Sequence, residues 1–273
     1  VKANVLNDHS ADTETDTGFS LINGQITTTD NHNYPEAELD PTKDVVAGAK
    51  SAGSLQDQES IDNQSFAIGT TIDYKLNSSE RPANYGGETS EWGLHDTFDT
   101  THDEFTGTWH AYADQNIALD NGETITAGTD ISSYFTETYD KASGTFNVQA
   151  TQDFLNIINS SANKNTVQQF TVYAEVKRIA AGKDIANTVD ETYNHQGNDS
   201  NTVHTTTPND PTPTKEVSNE AGTDINDGNV ERGDKLDYEV DWDLTGYQDL
   251  AFSTVDIAKG VSIYDNYDET RVD

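Results

Sequence analysis

An all-β fold, built of antiparallel sheets packed face to face and repeated along the chain, is predicted by three features of the sequence. Apolar residues alternate with polar ones in segment after segment, clusters of Asn, Gly and Ser separate those segments, and one set of landmarks occurs twice in the same order. Alternation places every second side chain on one face of a strand. A sheet apolar on one face and polar on the other is antiparallel and covered once, so two such sheets close into a sandwich.

Along the chain, residues 1–39 are rich in Thr, Asp and Asn, and only "GFSLINGQITTTD" reads there as a short strand and turn. This stretch reads as a linker or the tail of a preceding module. Pro41 opens a complete domain over residues 40–207. Within it, Ile72, Tyr74 and Leu76 of "TTIDYKL" share a face, as do Phe146 and Val148 of "GTFNVQA". Phe170, Val172, Ala174 and Val176 of "QQFTVYAEVKR" do the same. Turn signals sit between them in "DNGET" and "KASGT". One segment breaks the rhythm: Phe154, Leu155, Ile157 and Ile158 of "TQDFLNIINSSAN" have helical spacing, which predicts a short amphipathic crossover helix.

Residues 208–214, around the three prolines of "TTTPNDPTP", form a stiff linker. Beyond it "KLDYEVDWDL" alternates again, with Leu236, Tyr238, Val240, Trp242 and Leu244 on the inward face. Residues 215–273 then repeat the opening of the first domain. "DPTKDVVAG" returns as "DPTPTKEVSNEAG", "GTTIDYKL" as "GDKLDYEV", and "HDTFDTTHDE" as "YDNYDE". The chain reads as a tandem array cut within its second module, an interior piece of something longer.

Composition narrows the function. With 49 acidic against 15 basic residues the formal charge is −34, which repels a phosphate backbone and an anionic membrane. The same acidity suits calcium, whose ligands are carboxylate and carbonyl oxygens. There is no cysteine, so neither a disulfide nor a thiolate metal site can staple the fold. No apolar run approaches the length of a membrane span, and the start does not resemble a signal peptide. The aromatic content of 9% exceeds that of a disordered tail.

Face sharing in strands also picks out chemistry. Lys43 lies on the face of Val45, Asp96 on that of Trp92, Leu94 and Phe98, and Asn201 on that of Val203, which points all three inward. Burial disfavours a charged lysine and a charged aspartate alike, leaving a neutral amine beside a protonated carboxyl. Such an amine can attack the Asn201 side-chain carbonyl while Asp96 polarises it and moves protons. Ammonia leaves and an amide crosslink remains. No cofactor is needed, because the fold itself holds the reactants at high effective concentration. Asp99, in the same small motif, is the alternative to Asp96. In the second module Lys215 and Asp265 recur in matching contexts, Asp265 on the face of Val261, Ile263 and Tyr267.

The segments "PTKDV", "THDEFTGTW", "VYAEVKRIAAG", "SNTVHTTTPNDPTPTKEV", "GTDINDGNVERGDKLDY" and "WDLTGYQDL" together resemble the C-terminal adhesin domains of the antigen I/II family of Gram-positive surface proteins. The resemblance runs from residue 41 to residue 273. It implies a variant immunoglobulin-like sandwich with extra strands and short helical crossovers. It also implies a Lys–Asn isopeptide bond assisted by an aspartate, which carries onto Lys43, Asn201 and Asp96. Bound calcium, a place on the outside of a cell-wall-anchored adhesin, and adherence to host or salivary glycoproteins are further implications. "DINDGNVERGDK" lacks the ligand spacing of an EF-hand loop, so the metal ligands stay unassigned.

The expected function is therefore a structural stalk and adhesion module that locks itself with one crosslink and contacts neighbouring domains of the same protein. A module that binds a host glycoprotein or partner microbe directly, with Trp109 and Tyr112 as contact aromatics, is the alternative. An enzyme finds no support: there is no nucleophile elbow, phosphate loop or zinc motif, and paired carboxylates say little among 49 acids. His95, His102 and His110 are spaced too widely on strands and turns to converge on a metal.

Overall fold

The segment "TTIDYKL" folds as its rhythm requires, with Ile72, Tyr74 and Leu76 fully buried and Thr71 exposed. It is one of seventeen strands among the described residues of the computed structural model. The structure describes residues 13–16, 30–33, 38–48, 59–85, 87–248, 250–251, 264–266 and 268–272. In chain order, β1 (Thr13–Asp16) and β2 (Asp30–Asn33) pair antiparallel. The strand expected in "GFSLINGQITTTD" lies, Asp30 apart, outside the described residues. The first module contains β3 (Thr42–Val46), β4 (Thr71–Asn77), β5 (Trp92–Thr97), β6 (Asp103–Ala113), β7 (Ile117–Ala118) and β8 (Thr124–Ile125). It continues with β9 (Phe135–Asp140), β10 (Thr145–Ala150), helix α1 (Gln152–Ile158) and β11 (Phe170–Arg178). It ends with β12 (Gly182–Asn187), β13 (Val189–Tyr193), β14 (Gln196–Asp199) and β15 (Val203–Thr207).

Two antiparallel sheets carry the core. One has the order β3-β4-β11-β6 and the other β14-β13-β5-β10-β9. Their inner faces meet through aromatic contacts: Trp92 of β5 stands edge-on to Phe170 of β11 at 5.0 Å, and Tyr74 of β4 stacks on Phe98 at 5.7 Å. Each such ring removed from water contributes roughly 2–3 kcal/mol, and the core holds many of them. The all-β sandwich is thus what the alternation predicts. The helix also forms, with the Thr151 hydroxyl accepting from the Phe154 N–H at its start and Phe154, Leu155 and Ile158 buried against the core.

The strand pair β12–β15 lies outside both large sheets and sets the site described below. Only Thr188 separates Asn187, at the end of β12, from Val189, which is paired with Asp96 of β5. A close turn fixes the other end of the Asp96 strand: Gly144 has φ of +76°, and a Cβ there would sit 2.1 Å from the Phe98 carbonyl oxygen. Only glycine permits that approach.

In the second module β16 (Thr214–Asn219) and β17 (Leu236–Asp241) pair antiparallel, with Lys215 opposite Val240. The expected inward face is open rather than covered: Tyr238 is 45% exposed and Leu244 36%. Alternation sets which side chains share a face. Covering that face takes a second layer, and the described residues of this module supply one hairpin.

Candidate functional site

β3 is an edge strand, and Lys43 sits at an inward position of it, between the strand's free edge and the core. Its side chain is fully buried, as is that of Asp96 from the facing sheet. Lys43 Nζ donates a hydrogen bond to Asp96 Oδ2 and lies 4.5 Å from the centroid of the Tyr74 ring. Burial pushes the amine below its ordinary lysine value, against the pull of the neighbouring Asp96 and, more weakly, of Asp103. Burial likewise pushes the Asp96 carboxyl up, against the opposing effect of Lys43. Taking two charges out of water costs more than their attraction returns unless the geometry is excellent, so both shifts favour the uncharged pair. The contact expected between Lys43 and Asp96 is therefore present, with the electrostatics a nucleophilic amine needs.

Asn201 is placed differently from the expectation. It is exposed, two residues before β15, and it meets the main chain of Lys43 rather than its amine. Asn201 Oδ1 accepts from the Lys43 N–H at 2.9 Å, and Nδ2 donates to the Lys43 carbonyl at 2.9 Å. The reason is the edge. Backbone groups on the open side of β3 need partners, and a side-chain amide supplies a donor and an acceptor together. Nearby, Asn198 Nδ2 donates in the same manner to the Leu39 carbonyl at 2.6 Å. Inward-pointing Lys43 Nζ and edge-bound Asn201 belong to different sides of one strand.

The asparagine that does reach the carboxyl is Asn187. It is only 5% exposed, and its side chain interacts with Asp96. Neither its Oδ1 nor its Nδ2 completes a hydrogen bond of normal geometry, and Asp96 Oδ1 also lacks one. Leaving buried amide and carboxyl groups unpaired costs about 1–3 kcal/mol each, so the cluster does not stabilise the fold as it stands. A sequence signal existed: in "KDIANTVD" Asn187 falls two residues after Ile185, on the same buried face of β12. Asp99 is excluded as the partner. It closes a turn, accepting from the Thr101 N–H at 3.0 Å and contacting His102 Nδ1 at 2.7 Å.

In the second module Lys215 Nζ lies 2.7 Å from Asp265 Oδ1, 2.8 Å from Oδ2 and 4.5 Å from the Tyr238 ring centroid. This is the Lys43–Asp96–Tyr74 arrangement in a site that is open to water, Lys215 and Asp265 being 42% and 36% exposed. Val261, Ile263 and Tyr267, expected beside Asp265, lie outside the described residues. The three histidines stay apart: His95 contacts Asn147, His102 contacts Asp99 and His110 contacts Asp130. Among the described residues no three acidic or histidine side chains converge to hold a metal ion. Nor do Trp109 and Tyr112 form an exposed aromatic pair. Trp109 packs on the core, and Tyr112 is buried edge-on against Tyr173. No helix among the described residues is long and apolar enough to cross a membrane.

Comparison with known proteins adds context. The sequence pattern of a family described as cell surface antigen C-terminus matches residues 40–208. A second, described as cell surface antigen I/II C2 terminal domain, matches residues 213–273. Aggregation substance of Enterococcus faecalis is 49% identical over 235 residues, which is 85% of this chain and 18% of that protein. Among solved structures, the C-terminal domain of the Streptococcus pyogenes antigen I/II-family protein AspA is 28% identical, with a TM-score of 0.57 over 67% of this chain and 50% of that one. The C-terminal domain of the Streptococcus agalactiae AgI/II polypeptide BspA is 27% identical, with a TM-score of 0.57 over 66% of this chain and 53% of that one. The chain spans about half of those solved domains and a small part of the longer relative.

Proposed function

The chain belongs to the antigen I/II family of cell surface antigens, and from that premise we propose that its first module is a load-bearing unit locked by an isopeptide bond between Lys43 and Asn187. One observation carries this reading: a buried Lys43 amine and a buried Asn187 amide without hydrogen-bond partners interact with the same Asp96 carboxyl. Neutral Lys43 Nζ attacks the Asn187 side-chain carbonyl carbon, which the protonated Asp96 polarises through the carbonyl oxygen. A proton from Nζ then passes by way of Asp96 to the departing nitrogen. The carbon–nitrogen bond of the amide breaks, ammonia leaves, and the new Nζ–carbonyl amide remains with Asp96 restored. The bond joins the first strand of one sheet to β12, whose chain leads into the other sheet. It forms once per molecule, so the module is a structural element and not a turnover enzyme.

In this reading the module lies in the extracellular part of a cell-wall-anchored protein and passes tension between its neighbours. Contact with host or salivary glycoproteins, or with another cell as the name aggregation substance suggests for the relative, falls to the protein as a whole. The test is an intact mass of the folded protein with mapping of the joined peptides. The expected result is a deficit of about 17 Da, one ammonia, located between Lys43 and Asn187 and absent from Lys43→Ala, Asp96→Ala and Asn187→Ala. A folded protein of full mass overturns the proposal.

A further inference from the structure

Behind the reacting groups lies a buried ion pair that the crosslinking chemistry does not use directly. Arg178, at the end of β11, is fully buried, as is Asp103 at the start of β6. Arg178 Nε donates to Asp103 Oδ1 at 2.7 Å. Asp103 Oδ2 accepts from the Tyr74 hydroxyl at 2.8 Å, and the ring of that tyrosine is the one beneath Lys43 Nζ. The other side of the guanidinium reaches β15, with Nη1 donating to Thr207 Oγ1 at 2.9 Å and Nη2 to Thr205 Oγ1 at 2.8 Å. β15 is the partner of β12, where Val203 stands opposite Asn187. One side chain thus links the acid behind the lysine to the strand pair that presents the asparagine.

We propose that Arg178 is a positioning residue for the crosslink, holding Asp103 in a closed ion pair away from Lys43 while clamping the Asn187 strand pair to the sheet. This rests on the Lys43–Asn187 reading. The ionisable groups acting on the Lys43 amine are Asp96 from β5 and Asp103 from β6, with Tyr74 of β4 between amine and Asp103 and Arg178 of β11 beyond it. Both acids pull a proton onto the amine. A protonated lysine is no nucleophile, so the second acid hinders the reaction unless its charge is spent elsewhere. Arg178 spends it. A guanidinium suits the task because its fork can hold a carboxylate and two hydroxyls at once in fixed directions.

The experiment compares wild type, Arg178→Gln and the double variant Asp103→Asn/Arg178→Gln. Each is recovered unfolded in urea, diluted into buffers from about pH 5 to 9, and followed by intact mass for loss of ammonia. Arg178→Gln leaves a lone carboxylate behind Tyr74. Its crosslinking at neutral pH is expected to be about tenfold slower, with the rate profile moved upward by about one pH unit. The double variant removes both charges together and is expected to return to within about threefold of wild type, a recovery that loss of packing alone would not give. An unchanged rate and profile in Arg178→Gln overturns the inference. Should that single variant not fold, a folded double variant that crosslinks about tenfold slower than wild type overturns it equally. A wild type that never loses ammonia removes the underlying reading instead, which keeps the two failures distinct.

Discussion

The position of the crosslink dictates how the module yields under tension, and the lengths differ enough to be measured. Pulled from handles at Glu38→Cys and Asn209→Cys, which the absence of native cysteine makes specific, an uncrosslinked module releases a chain of about 58 nm at roughly 3.4 Å per residue. A bond from Lys43 to Asn187 closes everything between them. Only the residues before Lys43 and those of β13, β14 and β15 remain free to extend, a contour of about 9 nm. A bond to Asn201 would leave about 4 nm. Optical-tweezer extension of wild type is therefore expected to show release near 9 nm, and the Asn187→Ala variant release near 58 nm. A wild type that yields 58 nm has no crosslink, and one that yields 4 nm is joined through Asn201; either result refutes the assignment made from the burial of Asn187.

Three further outcomes follow from the same geometry. Closing a loop of roughly 145 residues stabilises by about 5 kcal/mol on the loop-entropy treatment used for disulfides, which for a domain of this size corresponds to about 10–20 °C in Tm. Calorimetry of Asn187→Ala should show a drop of that order, and a fall under about 3 °C would mean that no covalent closure is lost. Asn201→Ala removes two hydrogen bonds from the edge of β3 and is expected to cost about 1–2 kcal/mol while the mass deficit persists, read by denaturant titration and mass together. Glu191 gives a pH dependence. Its carboxylate oxygens accept from the Ser79 N–H and Trp92 Nε1 in the core, yet burial raises its pKa above the ordinary glutamate value. The folded state then keeps a proton that the unfolded chain has released, so this group's contribution is whole below about pH 4.5 and declines as pH rises through the raised value. Glu191→Gln should flatten that decline in urea titrations run across the acid range, and parallel curves for the two proteins would remove the claim.

Much of the fold is written in periodicity, because a strand has a period of two whatever it packs against. Ile72, Tyr74 and Leu76, and Phe170, Val172, Ala174 and Val176, are buried as their spacing requires, and the helical spacing of Phe154, Leu155 and Ile158 overrides it locally. What period cannot supply is the neighbour. The five-stranded order β14-β13-β5-β10-β9 places Val189 beside Asp96 across nearly a hundred residues, and no local pattern in either segment encodes that pairing. For the same reason the inward face of Leu236, Tyr238 and Val240 is legible as a face, but its half-exposed state is not.

The site divides along this line. Lys43 and Asp96 are polar residues at inward positions of apolar strands, an anomaly visible in the sequence itself, and the structure brings them together. Asn201 shares the face of Val203 in the last strand, and that face-sharing is what offers it to the first strand. It does meet the first, but through the amide plane. An edge strand offers its backbone sideways and its side chains inward, so a residue adjacent in the sheet direction reaches Lys43's main chain and cannot reach its amine. The acceptor must come from above the strand, from the side on which Asp96 lies. Asn187 qualifies because the chain leaves β12 there and, after the single residue Thr188, joins the sheet of Asp96. An asparagine where the chain crosses toward the Asp96 layer meets its carboxyl, and that position, more than its distance along the sequence, is what suits it to the bond.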